Sequence, residues 1–254
     1  MHRAWKSAAL LPLAAALAAA PALARDAGGD IKKAMKEKTG TYYLKTNLPY
    51  LQGRHAYGTF KRPIVTVSPG EGVTTASTAE VQGGAFHAEG RRLTLRVNDP
   101  VKVDEHEWES DDQSLEIELE GTGQAKDGVG VIKFVGLAGV NDFEACWEAA
   151  FSSVPLQDKY DWPADIKRAV AERRVLEGMT QEQVVVAVGY PEKTSTSTDQ
   201  GHKVETWVIQ RGEGSKMGFW TMKVGDKQEM EIRFVDGKVA QIGGSQEQPK
   251  VKLK

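Results

Sequence analysis

The strongest constraint on the fold of this chain is a change in the period of its apolar residues near position 140. Before that point they alternate with polar ones. In Arg92-Leu93-Thr94-Leu95-Arg96-Val97 the apolar positions are Leu93, Leu95 and Val97. In Leu115-Glu116-Ile117-Glu118-Leu119-Glu120 they are Leu115, Ile117 and Leu119. Side chains alternate across a strand, so each segment has one apolar and one charged face. This predicts half-buried strands of a sheet with one wet side. Arg92 and Arg96 are expected opposite the glutamate row if the two strands pair. Thr41 to Leu44, Pro63 to Val67 and Val131 to Val135 are further strand candidates. After position 140 the spacing turns helical. Phe143, Cys146, Trp147, Ala150 and Phe151 share one face, which is expected to pack on the sheet. Asn141 followed by Glu144 has the form of a capping box. Cys146 lies in that stripe and reads as a small buried hydrophobe.

Two prolines and many polar residues between Ser152 and Pro163 mark a domain boundary. The expected organisation is a signal at 1–24, a polar lead-in at 25–39 that is mobile or a short helix, a β-rich domain at 40–153, a second domain at 160–244 and a polar tail at 245–254. The fold class is α+β. The second domain opens with a helix predicted over 164–177, closed by Gly178. Gly178-Met179-Thr180-Gln181-Glu182-Gln183-Val184 then writes a second helix start. Thr180 and Gln183 form a capping box, and Met179 and Val184 a hydrophobic staple. Gly189 ends this helix and Pro191 prevents its resumption. Extended segments follow: Lys193 to Thr198, Lys203 to Ile209, Phe219 to Val224, Met230 to Val235 and Val239 to Ile242. Asp236-Gly237 is a hairpin turn signal.

The order is helix, helix, antiparallel meander. With Gly178-Met179-Thr180, Gln183-Val184, Gly189-Tyr190-Pro191, Glu205-Thr206-Trp207-Val208 and Phe234 to Val239, it resembles the BamE family (SmpA/OmlA) of the outer-membrane assembly machinery. β-Lactamase-inhibitor-like (BLIP-like) domains share the layout. The resemblance covers about a third of the chain, and the 40–153 segment carries none. It implies a non-enzymatic protein-binding module in a Gram-negative periplasm, linked to outer-membrane assembly or integrity. Its partner is then an envelope protein, met through the open surface of the sheet. Tyr190, Trp207 and Trp220 are the candidate partner-binding residues.

Export is written in the first residues. Arg3 and Lys6 precede an Ala/Leu run from Ala8 to Ala20, and Pro21-Ala22-Leu23-Ala24 has a small-x-small ending. These are the parts of a secretory signal, with the cut expected after Ala24. The run is shorter than the roughly 20 apolar residues of a spanning helix. Lipid attachment would need a cysteine directly after the cut, whereas the chain's only cysteine is Cys146. A lipid anchor at the mature N-terminus is therefore not expected, and membrane contact would come only through a partner. The chain has 33 basic and 35 acidic residues. Losing Arg3 and Lys6 leaves 31 against 35, a balance of −4, which gives no basic face for nucleic acid.

No catalytic set emerges. His55, His87, His106 and His202 lie in no ligand spacing such as His-Glu-x-x-His. The acidic run Asp104 to Asp112 is crowded with oxygens but lacks an EF-hand's alternating pattern and central glycine, and reads as a solvated hairpin tip. Gly121-Thr122-Gly123 with Lys126 is too short for a phosphate loop and reads as a turn. No cofactor or metal is expected, and the chain reads as a non-enzyme. The alternatives are an inhibitor-like protein acting on an exported hydrolase, or an enzyme or small-ligand receptor built on the β-rich half.

Overall fold

The computed structural model describes residues 20–55, 58–76, 87–211 and 228–244. Most of the signal, the tail beyond 244 and the expected strand Phe219 to Val224, with Trp220, lie outside the described residues. Strand makes up 47% and helix 25%, gathered into separate sheets with helices laid on them, so the protein is α+β.

The first half centres on a seven-stranded sheet. Its strands, edge to edge, are β10 (Phe151–Ser152), β1 (Tyr42–Leu44), β7 (Pro100–Glu109), β8 (Ser114–Gly121), β9 (Val129–Phe134), β4 (Val65–Ser68) and β5 (Gly72–Thr75). Among the described residues only β4 and β9 run parallel. A smaller sheet of β3 (Gly58–Pro63), β2 (Leu48–His55) and β6 (His87–Leu95) stands beside it. Register places Leu115 opposite Phe134 and Ile117 opposite Ile132. Val65 and Val67 extend the same row, making one apolar face. Helices α1 (Ala20–Glu37) and α2 (Val140–Ala150) cover it, burying Ile31, Met35, Phe143, Cys146 and Trp147.

Several expectations change here. The lead-in expected at 25–39 is helical, and it packs into the core. Ala27, Ile31 and Met35 recur every four residues among the lysines, giving α1 one apolar stripe that enters the core. The expected cut after Ala24 falls within α1, and these three anchors lie beyond it. Gly139, not Asn141, caps α2. Glu144 instead pairs with Lys38 at 2.6 Å, and the Asp142 carboxylate accepts from the Ala138 N–H. The arginine strand β6 pairs with β2, not with the glutamate row of β8. Lysines meet that row: Lys61 reaches Glu118 at 2.6 Å, and Lys133 stands opposite Glu116. Most of the acidic run is strand β7, and only residues 110–113 form the hairpin tip. Gly123–Ala125 is a tight 3-10 turn.

Glu116 sits on the wet face among Glu109, Glu118 and Glu107. Partial burial, then the charge of Glu109, pushes its carboxyl up to about 7. The folded state therefore holds a proton there that the unfolded chain releases near the ordinary carboxylate value. Its stabilising effect is complete below that ordinary value and is lost as pH rises through about 7. Glu116→Gln is expected to raise the unfolding free energy at pH 8, by at most about 1 kcal/mol after solvent screening. Near pH 4 it should change nothing. Denaturant titrations at both pH values check the sign.

The second half is a meander of β11 (Lys193–Asp199), β12 (His202–Arg211), β13 (Gln228–Val235) and β14 (Lys238–Gly244), backed by α3 (Ala164–Ala171) and α4 (Gln181–Val188). Both turns with described residues have left-handed pairs, Gln200-Gly201 and Asp236-Gly237. The Thr180–Gln183 capping box is present, with Met179 and Val184 both fully buried. α3 is shorter than expected. It stops at Ala171 because Arg173 takes φ +54°, and the N–H groups of Arg173 and Arg174 return to Val170 and Ala169. That is the Schellman closure, built without glycine. Gly178 (φ +81°) turns the chain seven residues later. The second core also draws on residues outside 160–244: Val97 from the β6–β7 turn and Leu156 are buried in it.

Candidate functional site

Where the two halves meet, a cleft of about 570 Å³ opens between α4, β12 and the β6–β7 turn. Val97, Leu156, Val185 and Trp207 supply its apolar lining. Lys45, Lys159, Tyr160, Glu182 and Tyr190 supply its polar and aromatic groups. Two of the three candidate contact residues, Tyr190 and Trp207, are thus brought together. Trp220 lies outside the described residues.

The two play different parts. Trp207 is 9% exposed and packs on Phe234 with ring centroids 4.6 Å apart, so it belongs chiefly to the core. Tyr190 is 51% exposed. Its position follows from helix punctuation. Gly189 closes α4 at φ +89°, and a Cβ there would stand 2.7 Å from the Asn47 side-chain oxygen. That oxygen accepts from the Val97 N–H at 3.2 Å, while the Asn47 amide donates to the Tyr190 carbonyl at 3.3 Å. One asparagine of the first half therefore fixes both the lining and the rim. Nothing at Asn47 in the sequence announces this, because its partners are about 50 and 140 residues away.

Tyr160 and Trp162 stack in parallel at 4.4 Å, extending the aromatic surface. Burial raises the Tyr160 phenol above its ordinary value, reinforced by its hydrogen bond to Glu182. Burial also lowers the Lys45 ammonium, and the charge of Lys159 lowers it further. Lys45 is held by the Glu148 carbonyl. Two cations thus stand at one wall and one carboxylate, Glu182, on α4.

The open face of the four-stranded sheet, the expected grip, is a mixed surface that includes Val208 opposite Glu231. It carries Thr206, Glu231, Arg233 and Gln241, and the apolar recess lies on the helix side. Cys146 is buried, and burial, with the charge of Asp142, pushes its thiol up to about 11. Among the described residues no three His, Cys, Asp or Glu side chains group to hold a metal, and no helix is long and apolar enough to cross a membrane.

The fold and the cleft define a class: an α+β protein of helix-backed sheets, with an aromatic-lined recess at the junction of its halves. Compared with family models, curated proteins and solved structures, the chain matches none.

Proposed function

We propose that this is a non-enzymatic binding protein of the Gram-negative cell envelope, exported to the periplasm, that holds a protein partner in the junction cleft. The observation that carries the reading is Tyr190, a large half-exposed aromatic on the rim of an apolar recess. A rigid aromatic beside a desolvated pocket is the usual anchor of a protein interface. The recess suits one or two apolar side chains of an inserted segment. Lys45 and Lys159 favour a carboxylate beside them. The likeness to the BamE and BLIP-like layout supports a binding role, and the α3, α4, β11–β14 order fits it. A link to outer-membrane assembly or integrity rests on that likeness.

Tyr190→Ala is expected to weaken partner binding by at least about tenfold, the effect of losing an interface anchor. It should leave the unfolding midpoint unchanged, because the ring contributes little to the core. Capture from envelope extracts with wild type and variant in parallel tests this. Proteins held by the wild type and lost from the variant support the reading. An identical set on both, or none on either, removes it. Inhibition of an exported hydrolase, relieved by the same substitution, would transfer the cleft to the inhibitor reading. N-terminal sequencing of periplasmic material should begin at Arg25.

A further inference from the structure

The four-stranded sheet has two outer strands, and they are finished differently. The far side of β14 is covered by the protein itself. Val239 donates to the Met179 carbonyl and accepts from the Gly178 N–H, both at 2.8 Å, and Thr180 bridges Lys238. Pairing between β13 and β14 is also broken by an irregularity at Arg233/Phe234. β11 has none of this. It pairs with β12 over seven consecutive residues without a register shift, and all seven are exposed. Among the described residues no strand lies on its outer side. Proteins normally blunt such an edge with a proline, a bulge, an inward charge or a very short strand. β11 contains no proline or bulge and keeps its charges at its two ends.

The order of its residues is informative. Lys193-Thr194-Ser195-Thr196-Ser197-Thr198-Asp199 reads alike from both ends, except that the ends carry opposite charge. Laid antiparallel on itself about Thr196, Lys193 meets Asp199, Thr194 meets Thr198, and Ser195 meets Ser197. Threonine and serine pairs and opposite charges are favourable across antiparallel strands. Asp199 already touches Arg233 at 3.2 Å in its own chain, and its second oxygen suits a lysine ammonium.

We infer that β11 is a homodimer edge: two copies join antiparallel through it about a two-fold axis at Thr196, making one continuous sheet of eight strands, four from each copy. Directly opposed residues point to the same face of a sheet. The helices of both copies therefore lie on one side and the two junction clefts face the same way. A partner presenting two segments then gains from their linkage.

The test is sedimentation of the full mature chain across concentration, with three charge variants. Wild type is expected to self-associate reversibly, reaching mostly dimer by roughly millimolar concentration, and more weakly in high salt. Lys193→Glu places like charges at both ends of the seam and should weaken the dimer at least about fivefold. Asp199→Lys should do the same. Lys193→Glu with Asp199→Lys reverses both charges across the seam and should recover most of the loss but not all of it, because Arg233 loses its own carboxylate partner. Amide exchange read residue by residue supplies a signal independent of folding losses: alternate amides of β11 should slow as concentration rises. A chain monomeric throughout, or a dimer indifferent to the single variants, overturns the inference. So does protection that appears elsewhere but not in β11.

Discussion

Asp99→Ala is expected to lower the unfolding free energy by about 2–3 kcal/mol, less than the loss for a fully buried ion pair because the Arg173 side chain left behind is 28% exposed. The Asp99 side chain is 5% exposed. One of its oxygens receives the Arg173 guanidinium, and the other accepts from the Arg96 N–H at 2.6 Å. Burial already lowers the pKa of Arg173, with the charge of Arg96 adding to it, so the guanidinium depends on its carboxylate. The surrounding turn ties the first half to the second core. Asn98 next to it accepts from the Leu156 N–H at 2.8 Å and donates to Gln157 at 2.7 Å. Val97 before it enters the second core. The substitution should therefore weaken cleft binding as well as stability. Arg173→Met in the same chain should recover most of the loss, because it removes the stranded charge. Urea denaturation of the four chains of this cycle measures the coupling. A single-variant loss below about 1 kcal/mol would mean the pair is effectively solvated.

What could be read in the sequence was what is local. The capping box at Thr180, the stop at Gly189 and the Asp236-Gly237 turn each lie within a few residues, and each forms as written. The alternation in β8 named its buried face correctly because strand period needs no partner to be known. Pairing was a different matter. β6 meets β2 and not β8, which only long-range register decides. The end of α3 was missed for a related reason. Arg173 adopts a conformation usually left to glycine, in a place where its side chain is held by Asp99 from the other half. That the lead-in helix joins the core is hard to read because four lysines interrupt its buried stripe, which among the described side chains is Ala27, Ile31 and Met35. In the site, Tyr190 is legible as an aromatic beside strong punctuation, and Trp207 as the aromatic of a strong strand. The other walls of the cleft, from Lys45, Val97 and Leu156, come from segments with no motif of their own.

Phe134→Ala should cost about 3–5 kcal/mol, the range for emptying an aromatic site in a packed core. Phe134 is fully buried on β9, with ring centroids 6.2 Å from Phe143 and 6.4 Å from both Trp147 and Phe151. It therefore touches the two aromatics of α2 and the strand that follows. Trp147 in turn meets Tyr42 edge to face at 4.9 Å, so the cluster ties β1, β9 and α2 together. Collapse cannot easily refill the space, because its neighbours are rings fixed by one another. Val154→Ala, at a 42% exposed position, is the matched control and should shift stability by no more than about 0.5 kcal/mol. Tryptophan fluorescence during denaturation follows the loss. The contrast with Asp99→Ala is the decisive part. Phe134 belongs to the first core and the cleft to the second, so folded Phe134→Ala protein should keep its cleft affinity. If affinity fell with stability in both variants, the two cores would act as one cooperative unit, and the cleft would be set by the packing of the whole molecule instead of the turn at Val97 to Asp99.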